Sequence, residues 1–166
     1  RPGLPTGKVK AVVIHYVGNP GTSAEFNRRY WDNITDNYGS AHYAIDAQEI
    51  IRCVPENEVA YHAGPHSKAT PWAMAFFDGE QANNHSIGLE LCHPDATGRF
   101  TQIVLAKARI LAAHLCIQHD LDPMTSIITH NMVTGKDCPR FWVAHPEELH
   151  KFRRAVDAIV MAALAV

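Results

Sequence analysis

The stretch Val9 to Val17, V-K-A-V-V-I-H-Y-V, decides the fold class. It is rich in β-branched residues and runs into the turn Gly18-Asn19-Pro20-Gly21. It therefore reads as a buried strand with His15 near its C-terminal end. Working outward, Ser23 is a good N-cap for a helix through about Asp32, with Phe26 and Tyr30 spaced for one face. His42 to Ile45 and Ile50 to Val54 flank Asp46-Ala47-Gln48-Glu49 and predict a β-hairpin, although the Asn-Gly turn signal is missing. Residues 55–84 are rich in Gly, Pro, Asn and His and show little periodicity, which predicts a long functional loop lining a cleft.

Beyond that loop, Ser86 to Cys92 alternates Ile87, Leu89 and Leu91 against Gly88 and Glu90. It reads as a strand that aims Glu90 away from its apolar face. Thr101 caps a helix to about His119 with the stripe Val104, Ala108, Leu111 and Leu115. A short strand, Ile127 to Thr129, leads into His130, and Asn131 to Arg140 reads as loop. The last helix spans about Pro146 to Ala163, with Pro146 in its first turn and Leu149, Phe152, Val156, Ile159 and Ala163 on one face. Strands interleaved with helices predict an α/β architecture, a mixed sheet covered by helices.

The 166 residues, 46% hydrophobic and 19% charged, suit one globular domain, with its core at about residues 9–163. A net charge of -2 leaves no basic excess for a nucleic-acid partner. No apolar run reaches the roughly 18 residues of a membrane span, and Arg1 to Pro5 carries no apolar signal core. The missing initiator Met fits an excised fragment or a processed product. Cys53, Cys92, Cys116 and Cys138 lie far apart, which argues against a disulfide framework and suggests that the first three are buried small hydrophobes.

Eleven histidines are the compositional oddity, and the question is which of them converge. His15 and His130 each follow a predicted strand, and Cys138 lies across a loop that contains Gly135 and closes at Pro139. Two imidazoles and a thiolate around one point suit zinc better than magnesium or calcium. Spacing alone leaves the ordinary alternative open, since a single His at a strand end is commonly a hydrogen-bonded structural residue.

The segments V-V-I-H-Y, S-A-H-Y-A-I, A-Y-H-A-G, S-I-G-L-E-L and I-T-H-N…G-K-D-C-P follow one another in this order. That ordered set resembles the type-2 N-acetylmuramoyl-L-alanine amidase family, which includes peptidoglycan recognition proteins and many phage endolysins. The resemblance runs from about Val9 to Pro139. It implies a peptidoglycan-recognition-protein-like fold, a zinc ion on His15, His130 and Cys138, and hydrolysis of the amide between N-acetylmuramic acid and L-alanine of peptidoglycan. It further implies that Lys136 and Glu90 are catalytic. Another branch carries a Tyr just before the hairpin His; here that position is Ala41, which leaves Glu90 as the general base.

Within the same resemblance, His62 and His42 are expected at the substrate cleft, with a structural or ligand-supporting role open for His42. Trp72, with Phe76 and Phe77, could stack on substrate or pack the loop onto the core. Arg140 could meet a substrate carboxylate. A second metal between His62 and His66 is disfavoured, because Gly64 and Pro65 prevent a helix there. His114, His119, His145 and His150 read as helix-surface residues. The expected activity is that of an endolysin or autolysin catalytic domain, monomeric and acting on the bacterial wall after release from the cytoplasm or export. The competing readings are a non-catalytic peptidoglycan-binding module of the same fold and an unrelated zinc peptidase.

Overall fold

The computed structural model describes residues 3–35 and 39–165; Arg1 and Pro2, at the start of the segment read for a signal, lie outside them. Val9 to Val17 forms strand β1 over Ala11–Tyr16, and Ala11, Val12, Val13 and Ile14 are completely buried. The reason is position: β1 has a parallel neighbour on each side. One is β4 (Ser86–Leu91) and the other is β5 (Ile127–Thr129). Strand β2 (Tyr43–Ile45) runs parallel to β4 and pairs antiparallel with β3 (Ile50–Arg52). The order β3-β2-β4-β1-β5 is a mixed five-stranded sheet.

Side chains alternate across this sheet and meet two different layers. On one face, Val12, Ile14, Ile87, Leu89 and Leu91 pack with two long helices, α3 (Gln102–His119) and α7 (Glu147–Leu164). Phe152, Val156 and Val160 supply the apolar side of α7. On the other face, Ala11, Val13 and Ile128 meet Ala63, Ala73, Phe77 and Ala82. Apolar neighbours on both faces explain why β1 reads as a continuous hydrophobic run.

Several expectations are corrected. Helix α1 (Ala24–Asn33) is capped by Ser23, whose side chain accepts from the Phe26 N–H, but its buried side is Ala24 and Asn27, not Phe26 and Tyr30, which are exposed. Residues 55–84 are not an open loop. Thr70 caps the short helix α2 (Pro71–Phe76), two 3-10 turns add structure, and Phe77 anchors the segment in the core. Helix α4 (Pro123–Ser126), begun by Asp122 and Pro123, precedes β5. Asn131 to Arg140 opens with helix α5 (His130–Thr134), because Thr129 caps it by accepting from the Met132 N–H, and helix α6 (Arg140–Ala144) follows. In α7, Pro146 is the N-cap residue, Val160 joins the buried side, and Ala163 is exposed. Cys92 and Cys116 are buried as expected, Cys53 only partly, and all four cysteines are free thiols.

The hairpin turn forms without Asn-Gly because Asp46 supplies the acceptors. Its Oδ1 accepts from the Gln48 and Glu49 N–H groups at 2.8 Å each, and its Oδ2 accepts from the Ala24 N–H at 2.7 Å. One carboxylate thus closes the turn and satisfies the first turn of α1. Burial pushes the Asp46 carboxyl up, but the hydrogen bonds from Ala24, Glu49 and Gln48 outweigh it and hold the group below its ordinary 3.8. A depressed carboxyl stabilises the fold above its unfolded pKa and loses that contribution as pH falls through the folded value. Asp46→Ala should therefore lower unfolding free energy by about 1–3 kcal/mol at pH 7. Denaturant titrations should show the deficit shrinking below pH ~4; a deficit independent of pH would contradict this role.

Candidate metal centre

His15 is the penultimate residue of β1 and projects to the same face as Ala11 and Val13, away from α3 and α7. The β1–β4 register pairs His15 with Glu90, so imidazole and carboxyl emerge side by side. His130 begins α5 directly after β5. Cys138 returns to this point because Asn131 pins the intervening loop. The Asn131 N–H donates to the Cys138 carbonyl at 2.9 Å, and its side-chain amide donates to the Lys136 carbonyl at 2.9 Å. Gly135 permits the turn, taking a left-handed φ of 76° and donating to the Asn131 carbonyl.

The outcome is a buried donor cluster. His15 Nδ1 lies 3.1 Å from His130 Nδ1 and 3.8 Å from Cys138 Sγ, and the three ligand atoms fall within 4.8 Å of one another. Around a tetrahedral zinc, two imidazole nitrogens sit roughly 3.3 Å apart, and nitrogen and sulfur roughly 3.6 Å apart. The two separations from His15 lie within about 0.2 Å of those values, and two imidazoles with one thiol are donors that suit zinc. Glu90 Oε1 stands 3.9 Å from His15 Nδ1, and Lys136 lines the same cavity of about 330 Å³. A larger cavity of about 660 Å³ opens beside Tyr43, Glu56 and His119, but it touches none of the donor cluster.

Burial drives these groups toward their neutral forms. It holds His15 well below the ordinary imidazole value, with His130, His62 and Lys136 adding to the effect, and it lowers His130 to about 4, assisted by Lys136. It pushes the Cys138 thiol up to about 12, and the neighbouring Glu90 adds to that rise. It raises Glu90 to about 8, against the pull of Lys136. Neutral imidazoles are ready ligands, while the thiol gives up its proton only if a cation takes its place.

The other expected residues fall into different places. His62 reaches the cavity, but its Nδ1 is 3.0 Å from His15 Nε2, so it backs a donor residue more than it faces the opening. His42 is not on the cavity wall: its Nδ1 accepts from the Gly88 N–H and its Nε2 donates to the Glu58 carbonyl, joining the hairpin to its surroundings. Trp72 is also absent from the cavity wall and stacks on Phe76 over α2. Arg140 lies outside the wall, bonded to Asp137 and 5.8 Å from the ring of Tyr16. Of residues 55–84, only His62 lines the cavity. Tyr16, Tyr30 and Trp31 form aromatic wall that sequence reasoning missed; Trp31, one residue after Tyr30, carried no signal beyond being aromatic. Asn131 was equally hidden.

Gly88 makes room for His62. A Cβ on Gly88 would lie 2.5 Å from His62 Cγ, inside the ring's own volume. Gly88→Ala should cost about 1–3 kcal/mol through overpacking. Thermal unfolding with a structure of the variant checks this; an unchanged midpoint with the ring unmoved would contradict it.

Comparison with known proteins finds relatives in sequence and in fold. The family profile described as N-acetylmuramoyl-L-alanine amidase matches residues 5–141. The N-acetylmuramoyl-L-alanine amidase BlyA of Bacillus subtilis (strain 168) is 36% identical over 162 residues, covering 95% of this chain and 44% of that protein. CwlL of Bacillus licheniformis, described by the same activity, is 37% identical over 164 residues, covering 96% and 44%. The chain thus spans a little under half the length of these curated relatives. The catalytic domain of XlyA, a protein of Bacillus subtilis (strain 168), superposes with a TM-score of 0.73 at 27% identity, covering 94% of this chain and 90% of that one.

Proposed function

The chain belongs to the type-2 N-acetylmuramoyl-L-alanine amidase family, and we propose that it is a single catalytic domain that hydrolyses the amide between N-acetylmuramic acid and L-alanine in bacterial peptidoglycan. The observation that carries this reading is the convergence of His15, His130 and Cys138 at the floor of a cavity that Glu90 and Lys136 also line. Zinc is the metal this donor set suits, and His15, His130 and the Cys138 thiolate would hold it. Imidazole with thiolate is a borderline-soft donor set, and three protein ligands leave a position open, as catalytic zinc sites require.

When bound, zinc supplies Lewis acidity, which makes water a stronger acid and polarises the scissile carbonyl. Glu90 accepts the proton of the attacking water. Its burial, against the pull of Lys136, makes the carboxyl a stronger base than an exposed one, and a bound cation would draw it back toward neutral pH, where acid–base exchange works best. As the carbon–nitrogen bond breaks, Glu90 delivers that proton to the departing alanine nitrogen. The products are a carboxylate on the sugar and a free amino group on the peptide. Lys136, exposed at the rim, stabilises the oxyanion that forms on the carbonyl. Tyr16, Tyr30 and Trp31 offer surfaces for sugar or peptide. No helix among the described residues is long and apolar enough to cross a membrane, and the site of action is the wall.

Metal content and release of new amino termini from purified walls test this reading. Glu90→Gln should keep one zinc per chain and lose roughly 10²–10⁴-fold in rate. Lys136→Ala should also keep zinc and lose roughly 10²–10³-fold, and Cys138→Ala should lose both metal and activity. Near wild-type turnover by Glu90→Gln would remove the acid–base assignment. Zinc and wall binding without amine release would identify a binding module instead.

A further inference from the structure

We propose that His62 and Ser86 are positioning residues, which fix through a directed hydrogen-bond chain the tautomer of His15 that presents Nδ1 to the metal. The inference rests on the metal reading above for its purpose, but not for its geometry. The chain begins at the Ala82 carbonyl, which can only accept. Ser86 Oγ donates to it at 2.7 Å. With its proton so used, the hydroxyl turns a lone pair toward His62 Nε2, 3.4 Å away. His62 therefore carries its proton on Nε2 and leaves Nδ1 as an acceptor. His15 Nε2, 3.0 Å from that Nδ1, must be the donor.

A metal-binding imidazole is neutral and carries a single proton, placed by whatever its second nitrogen bonds to. With that proton on Nε2, the Nδ1 lone pair of His15 faces His130 Nδ1 and Cys138 Sγ. The opposite tautomer would put a proton into the 3.1 Å gap between the two Nδ1 atoms, where the metal belongs. It would also set the bare Nε2 of His62 against a Ser86 oxygen already committed to the Ala82 carbonyl.

The chain is held rigidly. His15, His62 and Ser86 are all buried. Asn83 Oδ1 accepts from the N–H groups of His62 and Ala63, and the missing Cβ of Gly88 gives the His62 ring its seat. Alternation along β4 puts Ser86, Gly88 and Glu90 on one face, so one strand supplies the end of the relay, the seat for its middle member and the proposed base.

Two measurements test this on the full chain. Long-range proton–nitrogen correlation of ¹⁵N-histidine-labelled, metal-free protein should find His15 and His62 both protonated on Nε2. Zinc affinity by chelator competition should fall about 10–100-fold in Ser86→Ala and in His62→Phe, which keeps ring bulk but has no acceptor. His62→Asn, whose Oδ1 can stand where Nδ1 stood, should recover much of the loss. Unfolding midpoints show which variants remain folded. His15 protonated on Nδ1 in the metal-free protein overturns the proposal. So does wild-type zinc affinity in folded Ser86→Ala and His62→Phe. If the wild-type chain binds no zinc, the metal reading falls, and the tautomers alone decide whether the relay exists.

Discussion

The structure depends on β1 being paired on both edges with parallel strands. Its register against β4 brings His15 level with Glu90, and its pairing with β5 ends where His130 begins. Three chemical groups far apart in sequence therefore meet at one end of adjacent strands, without any local motif linking them. The helical layer of α3 and α7 fills one face, and the other carries a second apolar cluster with the donor residues beyond it at the strand ends. A sheet buried on both faces has little freedom to slip, since a one-residue shift would exchange the two sets of side chains. The strand ends that carry His15 and Glu90 are thereby held as firmly as the core.

That rigidity has an electrostatic cost. Two imidazoles, a thiol and a carboxyl share a poorly solvated pocket, and burial moves each toward its uncharged form: the histidines downward, Cys138 and Glu90 upward. All four shifts have burial as their largest cause, and the positive charge of Lys136 sits at the exposed rim of the pocket. A divalent ion would reverse the penalty on the thiol and draw down that on the carboxyl. The same features that make the pocket costly as a bare protein surface make it a strong ligand set.

Much of this was legible in the sequence, for identifiable reasons. The β-branched run of β1, the alternation of β4 and the Thr101 cap of α3 are local signals, and each element formed where they indicated. The long-range convergence of His15, His130 and Cys138 was not readable from spacing; the order of the surrounding motifs supplied it. Phe26 and Tyr30 misled because an aromatic pair at helical spacing describes a face without saying whether core or solvent lies opposite. Residues 55–84 misled because their order comes from contacts such as Phe77 in the core, not from periodicity. His42 and His62 could not be distinguished as residue types. Only their partners separate them: two backbone groups for His42, and the imidazole of His15 for His62.

The central claim is that one metal ion joins β1, α5 and the Cys138 loop through two imidazoles and one thiolate. X-ray absorption spectroscopy of the chain loaded with one equivalent of zinc measures this directly. The account predicts a single sulfur neighbour at ~2.3 Å and two imidazole nitrogens at ~2.0–2.1 Å, with a light atom completing the shell. A zinc shell without sulfur, or with only one imidazole, would contradict it.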